Sequence, residues 1–186
     1  MSAKKVFITQ IKIPEGIQAD VVDNTIKIKG PKGELKRTFL NPRVVISKDS
    51  DNFMFKTKDT IKYSAIDKMH MNTYKAHIKN MFVGVKEAYT AQLKICSGHF
   101  PMNVSVEGNN LVVKNFLGEK IPRKANIPQG VVVKVQGDLI NVEGNDKEKV
   151  GQAAATIEQS TRITRRDRRI FQDGCFIIKK PGDKDE

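Results

Sequence analysis

The stretch VEGNNLVVKNFLGEKIPR, residues 106–123, decides the fold because its pattern occurs twice in the chain. Apolar, partly β-branched residues 111–113 predict a strand, and Gly118 supplies the positive φ that a tight turn needs before a returning strand. Four positions of residues 21–37, VVDNTIKIKGPKGELKR, repeat this pattern at a constant offset of 85, since Ile26, Ile28, Gly33 and Glu34 correspond to Leu111, Val113, Gly118 and Glu119. A repeat of about half the chain indicates a duplication.

Outward from the repeat, short β-branched and aromatic segments bounded by Gly, Pro, Asn or Asp predict a small antiparallel sheet in each half. In the first half the predicted strands are residues 6–13, residues 17–29 in two pieces around Asp23-Asn24, and residues 35–40, 44–46 and 53–58. In the second half they are residues 91–96, 104–106, 111–114, 131–135 and 139–142.

A helix is predicted after the first sheet, where the apolar period changes to three and four residues. Asp59 or Thr60 is the expected N-cap, and Gly84 is the expected end. The predicted buried face consists of Ala65, Ile66, Met69, Tyr74, Ile78, Met81, Phe82 and Val85. The opposite face carries Lys62, Lys68, Lys75, His77 and Lys79.

A second helix is predicted from Asn145, which is spaced from Glu148 as in a capping box. Its apolar stripe is Val150, Ala153, Ala154 and Ile157. The order of a sheet followed by a helix occurs twice along the chain. It predicts an α+β fold of two tandem copies, each a small antiparallel sheet with one helix packed on it. The expected domains are residues 1–84, residues 85–161 and a basic C-terminal extension, residues 162–186.

Charge is the strongest compositional signal, because 33 Lys and Arg face 21 Asp and Glu and give a formal net charge of +12. Such an excess favours a polyanionic partner, most often nucleic acid, over a merely solvated basic surface. Five of the cations are arginines within eight positions of the C-terminal segment TRITRRDRRIFQDGCFIIKK, residues 161–180. Arginine binds phosphate bidentately and stacks on bases, so RNA contact is a better interpretation than a basic flank at a helix end.

No catalytic, metal or membrane motif is present in the sequence. Residues 30–34 lack the length and ending of a P-loop and predict a turn. His70 and His77 are a weak metal signal, and the widely separated Cys96 and Cys175 predict two reduced thiols. No apolar run approaches the ~18 residues that a membrane span needs. We therefore expect no enzyme activity, cofactor, small-molecule substrate or membrane partner, although an enzyme could hide a cluster that forms only in space.

Several stretches resemble motifs of one protein family, and they occur in the same order as in that family. They are NMFVGV (residues 80–85), HFPMNV (99–104), NFLGEK (115–120), EGNDKEKVGQAAATIEQST (143–161) and RRIFQDG (168–174). They are similar to the universal large-subunit ribosomal proteins numbered six, which are numbered nine in eukaryotes. NFLGEK and its spacing to EGND resemble the archaeal and eukaryotic branch more than the bacterial one.

The resemblance implies two copies of one α+β fold and a structural role in the large ribosomal subunit. It implies binding to large-subunit rRNA near the sarcin–ricin loop, at the edge of the translation-factor site, beside neighbouring ribosomal proteins. The location would be the cytoplasmic ribosome, with assembly in the nucleus or nucleolus if the source is eukaryotic. A free-standing RNA-binding regulatory module is the alternative.

Carried over to this chain, the family's main RNA contacts fall on the hairpin and the C-terminal segment. The resulting candidates are Lys114, Lys120, Arg123, Arg162, Arg165, Arg166, Arg168 and Arg169. Lesser candidates on the first helix are Lys75, Lys79 and Asn80. The tail is short and acidic at its tip, so the contacts made by longer tails in the family are not expected here.

Overall fold

The computed structural model describes residues 8–22, 24–49, 52–58 and 64–183, and the chain divides into two compact units, Met1–Glu87 and Ala88–Glu186. The first unit contains β1 (Ile8–Lys12), β2 (Gln18–Val22), β3 (Thr25–Gly30), β4 (Gly33–Thr38), β5 (Val44–Asp49), β6 (Asn52–Thr57) and α1 (Ala65–Lys86). The second contains β7 (Tyr89–Cys96), β8 (Asn103–Glu107), β9 (Asn110–Lys114), a 3₁₀ turn (Phe116–Gly118), β10 (Arg123–Asn126), β11 (Val131–Gln136), β12 (Leu139–Gly144), α2 (Lys147–Ser160) and β13 (Gly174–Lys179). The domain boundaries expected at residues 84 and 161 stay a prediction.

Over the residues that the structure describes, each unit contains two antiparallel sheets and one helix, which confirms the α+β class and the tandem repeat. The sheets of the first unit have the orders β2-β3-β4 and β1-β6-β5, and those of the second have β8-β9-β10 and β11-β12-β7-β13. Replacing β1 to β6 by β7 to β12 converts one topology into the other. The single sheet expected in each copy is thus two sheets, and β13 is an additional strand that pairs with β7.

The repeated stretch forms the central strand of the corresponding sheet in each unit, β3 in the first and β9 in the second. Ile26 and Leu111 occupy equivalent positions and are fully buried. Gly33 and Gly118 follow these strands with positive φ angles of 139° and 79°. The sequence offset therefore matches a structural equivalence, because both copies need apolar central strands and a turn that a side chain with a Cβ rarely tolerates.

The first helix differs from its prediction at both ends and on its buried face. It begins after Ser64, whose Oγ accepts the Ile66 N–H. The expected caps Asp59 and Thr60, and Lys62 of the expected polar face, lie outside the described residues. It ends at Lys86 rather than at Gly84, which is buried within the helix. Ala65 is exposed as well, and Ile66 and Met69 are 59% and 56% exposed. They were wrongly assigned to the core because apolar identity alone does not specify the packed face near the first turn. The buried residues of the helix are Asp67, Met71, Ile78, Met81, Phe82, Gly84 and Val85.

The second helix is close to its prediction. Its stripe of Val150, Ala153, Ala154 and Ile157 is buried, as expected. The N-cap is Asp146 rather than Asn145, because the Asp146 carboxylate accepts the N–H of Glu148 at 2.9 Å. A carboxylate at this end also complements the positive end of the helix dipole.

The two cysteines are free thiols, as predicted, although strand pairing brings them onto neighbouring strands. Cys175 is fully buried, and that burial raises its pKa to about 11 despite the hydrogen bond with Thr161. Within the described residues, we find no group of three metal-ligating side chains. Among the helices of the described part, none is long and apolar enough to cross a membrane.

Candidate nucleic-acid interface

The C-terminal arginines lie on one loop of the second unit, which we call the arginine loop (residues 162–173), between α2 and β13. Its two ends are joined because the Cys175 N–H donates to Thr161 Oγ1 at 2.9 Å and the Ile177 N–H donates to Glu158 Oε1 at 3.1 Å. Inside it, the Phe171 N–H donates to the Asp167 carbonyl at 2.9 Å and closes a turn. The loop is therefore held in shape by hydrogen bonds from the backbone.

All five arginines of the loop are exposed, but their side chains differ in what they contact. The Arg166 guanidinium lies 4.8 Å from the centre of the Phe171 ring, and Arg169 forms an ion pair with Asp167 at 2.8 Å. In the described part of the chain, the side chains of the other three, Arg162, Arg165 and Arg168, have no hydrogen-bonding or ionic partner. Three cations of this loop are thus available to a partner outside the protein.

Arg123 holds the start of the arginine loop against the connection between β9 and β10. Its Nε and Nη2 donate to the Glu119 carboxylate at 2.8 and 2.6 Å, and its Nη1 donates to the carbonyls of Ser160 and Arg162 at 3.0 Å each. The guanidinium also stacks 4.1 Å from the centre of the Phe116 ring. These hydrogen bonds from Arg123 are the main cause that lowers the pKa of Glu119. The Arg123 side chain, 25% exposed, is committed to intramolecular contacts.

The far end of the loop is fixed by a pair that joins two of the motifs, HFPMNV and RRIFQDG. The buried Asp173 carboxylate accepts the N–H groups of Gly98 and His99 at 2.7 and 2.9 Å and contacts His99 Nδ1 at 2.6 Å. Burial raises the pKa of Asp173, but the bonds from His99 and Gly98 outweigh it and lower the pKa overall. The His99 ring stacks on Phe171 at 4.6 Å. Nothing in the sequence indicated this contact, because Asp173 lies 74 residues away from His99 in the chain.

The remaining predicted residues occupy three other places. Lys114 ends β9 and pairs with Glu107 at 3.0 Å, which is the main cause of the lowered pKa of Glu107. Lys120 is exposed between β9 and β10, beside the residues that hold Arg123. On α1, in the first unit, Lys79 is exposed and Lys75 and Asn80 are half-buried. The structure therefore brings Arg123 and the start of the arginine loop together, whereas Lys114 belongs to the β8–β9 hairpin.

Comparison with known proteins agrees with the fold and the motifs. The family model described as ribosomal protein L6 matches the chain twice, over residues 13–88 and residues 100–174. The large ribosomal subunit protein uL6 of Ignicoccus hospitalis is 42% identical over 184 residues, covering 96% of this chain and 97% of the relative. The proteins of the same name from Methanosarcina mazei and Methanobrevibacter smithii are 44% and 42% identical over 91% and 92% of this chain, and over 95% and 94% of their own lengths.

The two matches follow the two structural copies, and the relatives align over almost their whole lengths. The resemblance seen in the motifs is thereby confirmed, including its archaeal and eukaryotic character. The chain belongs to the ribosomal protein L6 family, of the archaeal and eukaryotic type.

Proposed function

We propose that this chain is a structural, non-enzymatic constituent of the large ribosomal subunit and binds large-subunit rRNA through the arginine loop. The observation that carries the proposal is that Arg162, Arg165 and Arg168 are exposed without side-chain partners in the described chain, on a loop tied at both ends. Lys120 extends this cationic surface, and Arg166 and Arg169 stand within it. Lys114, Lys75, Lys79 and Asn80 are proposed as weaker contacts.

The proposed mechanism is recognition of folded RNA by shape. Double-stranded RNA exposes phosphates and 2′-hydroxyls to proteins and hides its base edges in a deep groove. A loop that is already ordered loses little conformational entropy when it binds, so its guanidinium groups meet phosphates in a fixed geometry. Each neutralised phosphate releases counterions, and affinity should therefore fall steeply with salt.

The proposed binding place is the RNA near the sarcin–ricin loop, at the edge of the translation-factor site, next to other large-subunit proteins. Support for this place comes from the resemblance of the motifs HFPMNV, NFLGEK and RRIFQDG to those of the family. Within this chain, their residues His99, Glu119 and Asp173 shape the arginine loop and its surroundings. The proposed location is the cytoplasmic ribosome, with nuclear assembly if the source is a eukaryote.

The proposal is tested by sedimentation of a lysate on a sucrose gradient, with the chain detected in each fraction. We expect the chain to sediment with large subunits and to stay there after a high-salt wash. Recovery only at the top of the gradient would refute a ribosomal constituent and would favour a free-standing RNA-binding module.

The arginine loop is tested by the double substitution Arg165→Ala with Arg168→Ala. We expect weaker binding to a large-subunit rRNA fragment, with the slope of log affinity against log salt reduced by about 2, since two phosphates are no longer neutralised. The matched control is Lys134→Ala with Lys180→Ala, which removes two exposed charges elsewhere in the second unit. A slope that is unchanged by the arginine substitutions would exclude this loop as the interface.

A further inference from the structure

An open groove of about 950 Å³ lies beside the arginine loop, between that loop, the end of α2 and the segment after β7. Its cationic lining includes Arg162 and Arg168, and its aromatic lining includes Phe171 and Phe176. Gln159 adds an exposed amide. The volume falls within the range of about 300–1,000 Å³ that small-ligand sites occupy.

The two aromatic residues of the groove are not equivalent. Phe171 already stacks against His99, with ring centres 4.6 Å apart, and has the Arg166 guanidinium 4.8 Å from its own ring centre. Phe176, on β13, is 40% exposed and has no ring partner in the described chain. A Cβ at Gly174 would lie 3.5 Å from the Phe176 ring, so this ring lies against the glycine backbone at the start of the strand. Phe176 therefore offers ring surface to the groove.

The charges of the groove favour an anionic occupant. Its acidic members are engaged inside the protein, since Glu158 accepts the Ile177 N–H and Asp173 is bonded to Gly98 and His99. Arg162 and Arg168 have no side-chain partner in the described chain. A guanidinium group binds phosphate bidentately, and an exposed aromatic ring stacks on a base of any identity.

A nucleotide that is not base-paired combines these two chemistries in one molecule, a phosphate next to a flat aromatic base. The groove is also continuous with the arginine loop, because Arg162 and Arg168 belong to both. We propose that this groove holds one unpaired nucleotide of the bound RNA, with its phosphate on Arg162 and Arg168 and its base on Phe176. The inference rests on the proposed function and adds a contact that recognises an RNA bulge rather than a regular helix.

The test compares two RNA hairpins that differ only in one bulged 2-aminopurine in the stem, using the full chain at fixed salt. We expect the bulged hairpin to bind about tenfold more tightly than the fully paired one, which is within the effect of stacking a single base. Stacking should also quench the 2-aminopurine fluorescence. Phe176→Ser should bring the affinity ratio close to one and abolish the quenching.

The matched control is Ile178→Ser, two residues along the same strand, which is also exposed but does not line the groove. Its affinity ratio should equal that of the unmodified chain. Should Phe176→Ser fold poorly in a thermal melt, Phe176→Leu keeps an apolar side chain without a ring face and should also bring the ratio most of the way to one.

Equal affinities for the two hairpins would overturn the nucleotide site and would favour an acidic peptide as the occupant. A preference for the bulge that survives in both Phe176 variants would overturn it as well. Failure of the unmodified chain to bind either hairpin with salt-dependent affinity would instead contradict the proposed function itself.

Discussion

Arg123 shows how far the role of a single cation depends on its contacts. It follows the NFLGEK motif closely, and its type and position gave it the same prediction as its basic neighbours. In the structure its guanidinium makes four hydrogen bonds and stacks on Phe116, whereas Arg165 and Arg168 have no side-chain partner in the described chain. We therefore interpret Arg123 as a residue that positions the arginine loop.

This interpretation is tested at Glu119, where the loss of a negative charge and the loss of the contact with Arg123 should change RNA affinity in opposite directions. Glu119→Gln removes a negative charge from a protein that binds a polyanion, so charge alone would tighten RNA binding. Because Arg123 loses its carboxylate partner, we expect weaker binding, by about tenfold or 1.4 kcal/mol. Arg123→Lys, which keeps the charge but lacks the planar fork, should have a similar effect. Fluorescence anisotropy with a labelled rRNA fragment measures both.

Glu143→Gln is the matched control, since Glu143 is exposed on β12 and its substitution changes the net charge by the same amount. It should leave binding unchanged or tighten it slightly. If Glu119→Gln tightened binding to the same extent, Arg123 would be an ordinary charge and not a positioning residue.

At the scale of the element, α1 begins with a capping box that is tied to a distant arginine. The Asp67 carboxylate accepts the Ser64 N–H at 2.9 Å and pairs with Arg43 through Nε at 2.7 Å and Nη2 at 2.9 Å. Asp67 is fully buried, yet the hydrogen bonds from Arg43 outweigh burial and lower the pKa of its carboxyl. The start of the helix is therefore fixed to the loop before β5, a contact that local caps alone do not supply.

Asp67→Asn should lower the midpoint of thermal unfolding at pH 7 by roughly 4–8 °C, which is about 1 kcal/mol in a domain of this size. The folded pKa of Asp67 lies below its unfolded value, so the carboxylate stabilises the fold above the unfolded pKa of about 3.9. This contribution is lost as the pH falls through the lowered folded pKa. The gap between the unmodified chain and the variant should consequently narrow below about pH 4 in melts followed by circular dichroism.

Asp146→Asn is the control at the second helix, where asparagine caps about as well as aspartate. The difference in unfolding midpoint between this variant and the unmodified chain should not depend on pH. A gap for Asp67→Asn that stays constant from neutral to acid pH would contradict the role given to the Arg43–Asp67 pair.

At the scale of the whole molecule, each unit has its own hydrophobic core. One core extends from Ile11 to Val85 and the other from Tyr89 to Cys175, and they share no buried residue. Helix residues anchor both, Ile78 of α1 in the first and Ile157 of α2 in the second. Separate cores are what duplication of a self-contained fold produces.

Ile78→Val and Ile157→Val are matched substitutions that remove one buried methylene from each core. Each should cost about 0.5–1.5 kcal/mol, and amide exchange should accelerate mainly in the unit that carries the change. Hydrogen exchange followed by mass spectrometry of peptides resolves the two units. Equal acceleration in both units after either substitution would mean that they unfold as one cooperative body.

The sequence predicted the local parts of the fold, and particular residues show where such prediction fails. The stripe of α2 was correct because Val150 and Ile157 lie on a helix face that its own period defines. Ile66 and Met69 were wrong because they lie off the helix face that Asp67, Met71 and Ile78 share, and apolar identity alone does not specify that face. In β13, Phe176 and Ile178 gave no strand prediction, since that strand depends on pairing with β7.

By itself, the sequence determined that this protein is a duplicated α+β fold with a basic arginine-rich segment. These properties follow from the 85-residue offset, the apolar periods and the net charge. All three can be read from the chain without knowing which distant residues are in contact. Only the tertiary structure decided that His99 meets Asp173, that Arg123 is committed to the protein and that Arg165 and Arg168 face outward. Such contacts join residues far apart in the chain, and their free energy depends on distances and burial that exist only after the strands have paired.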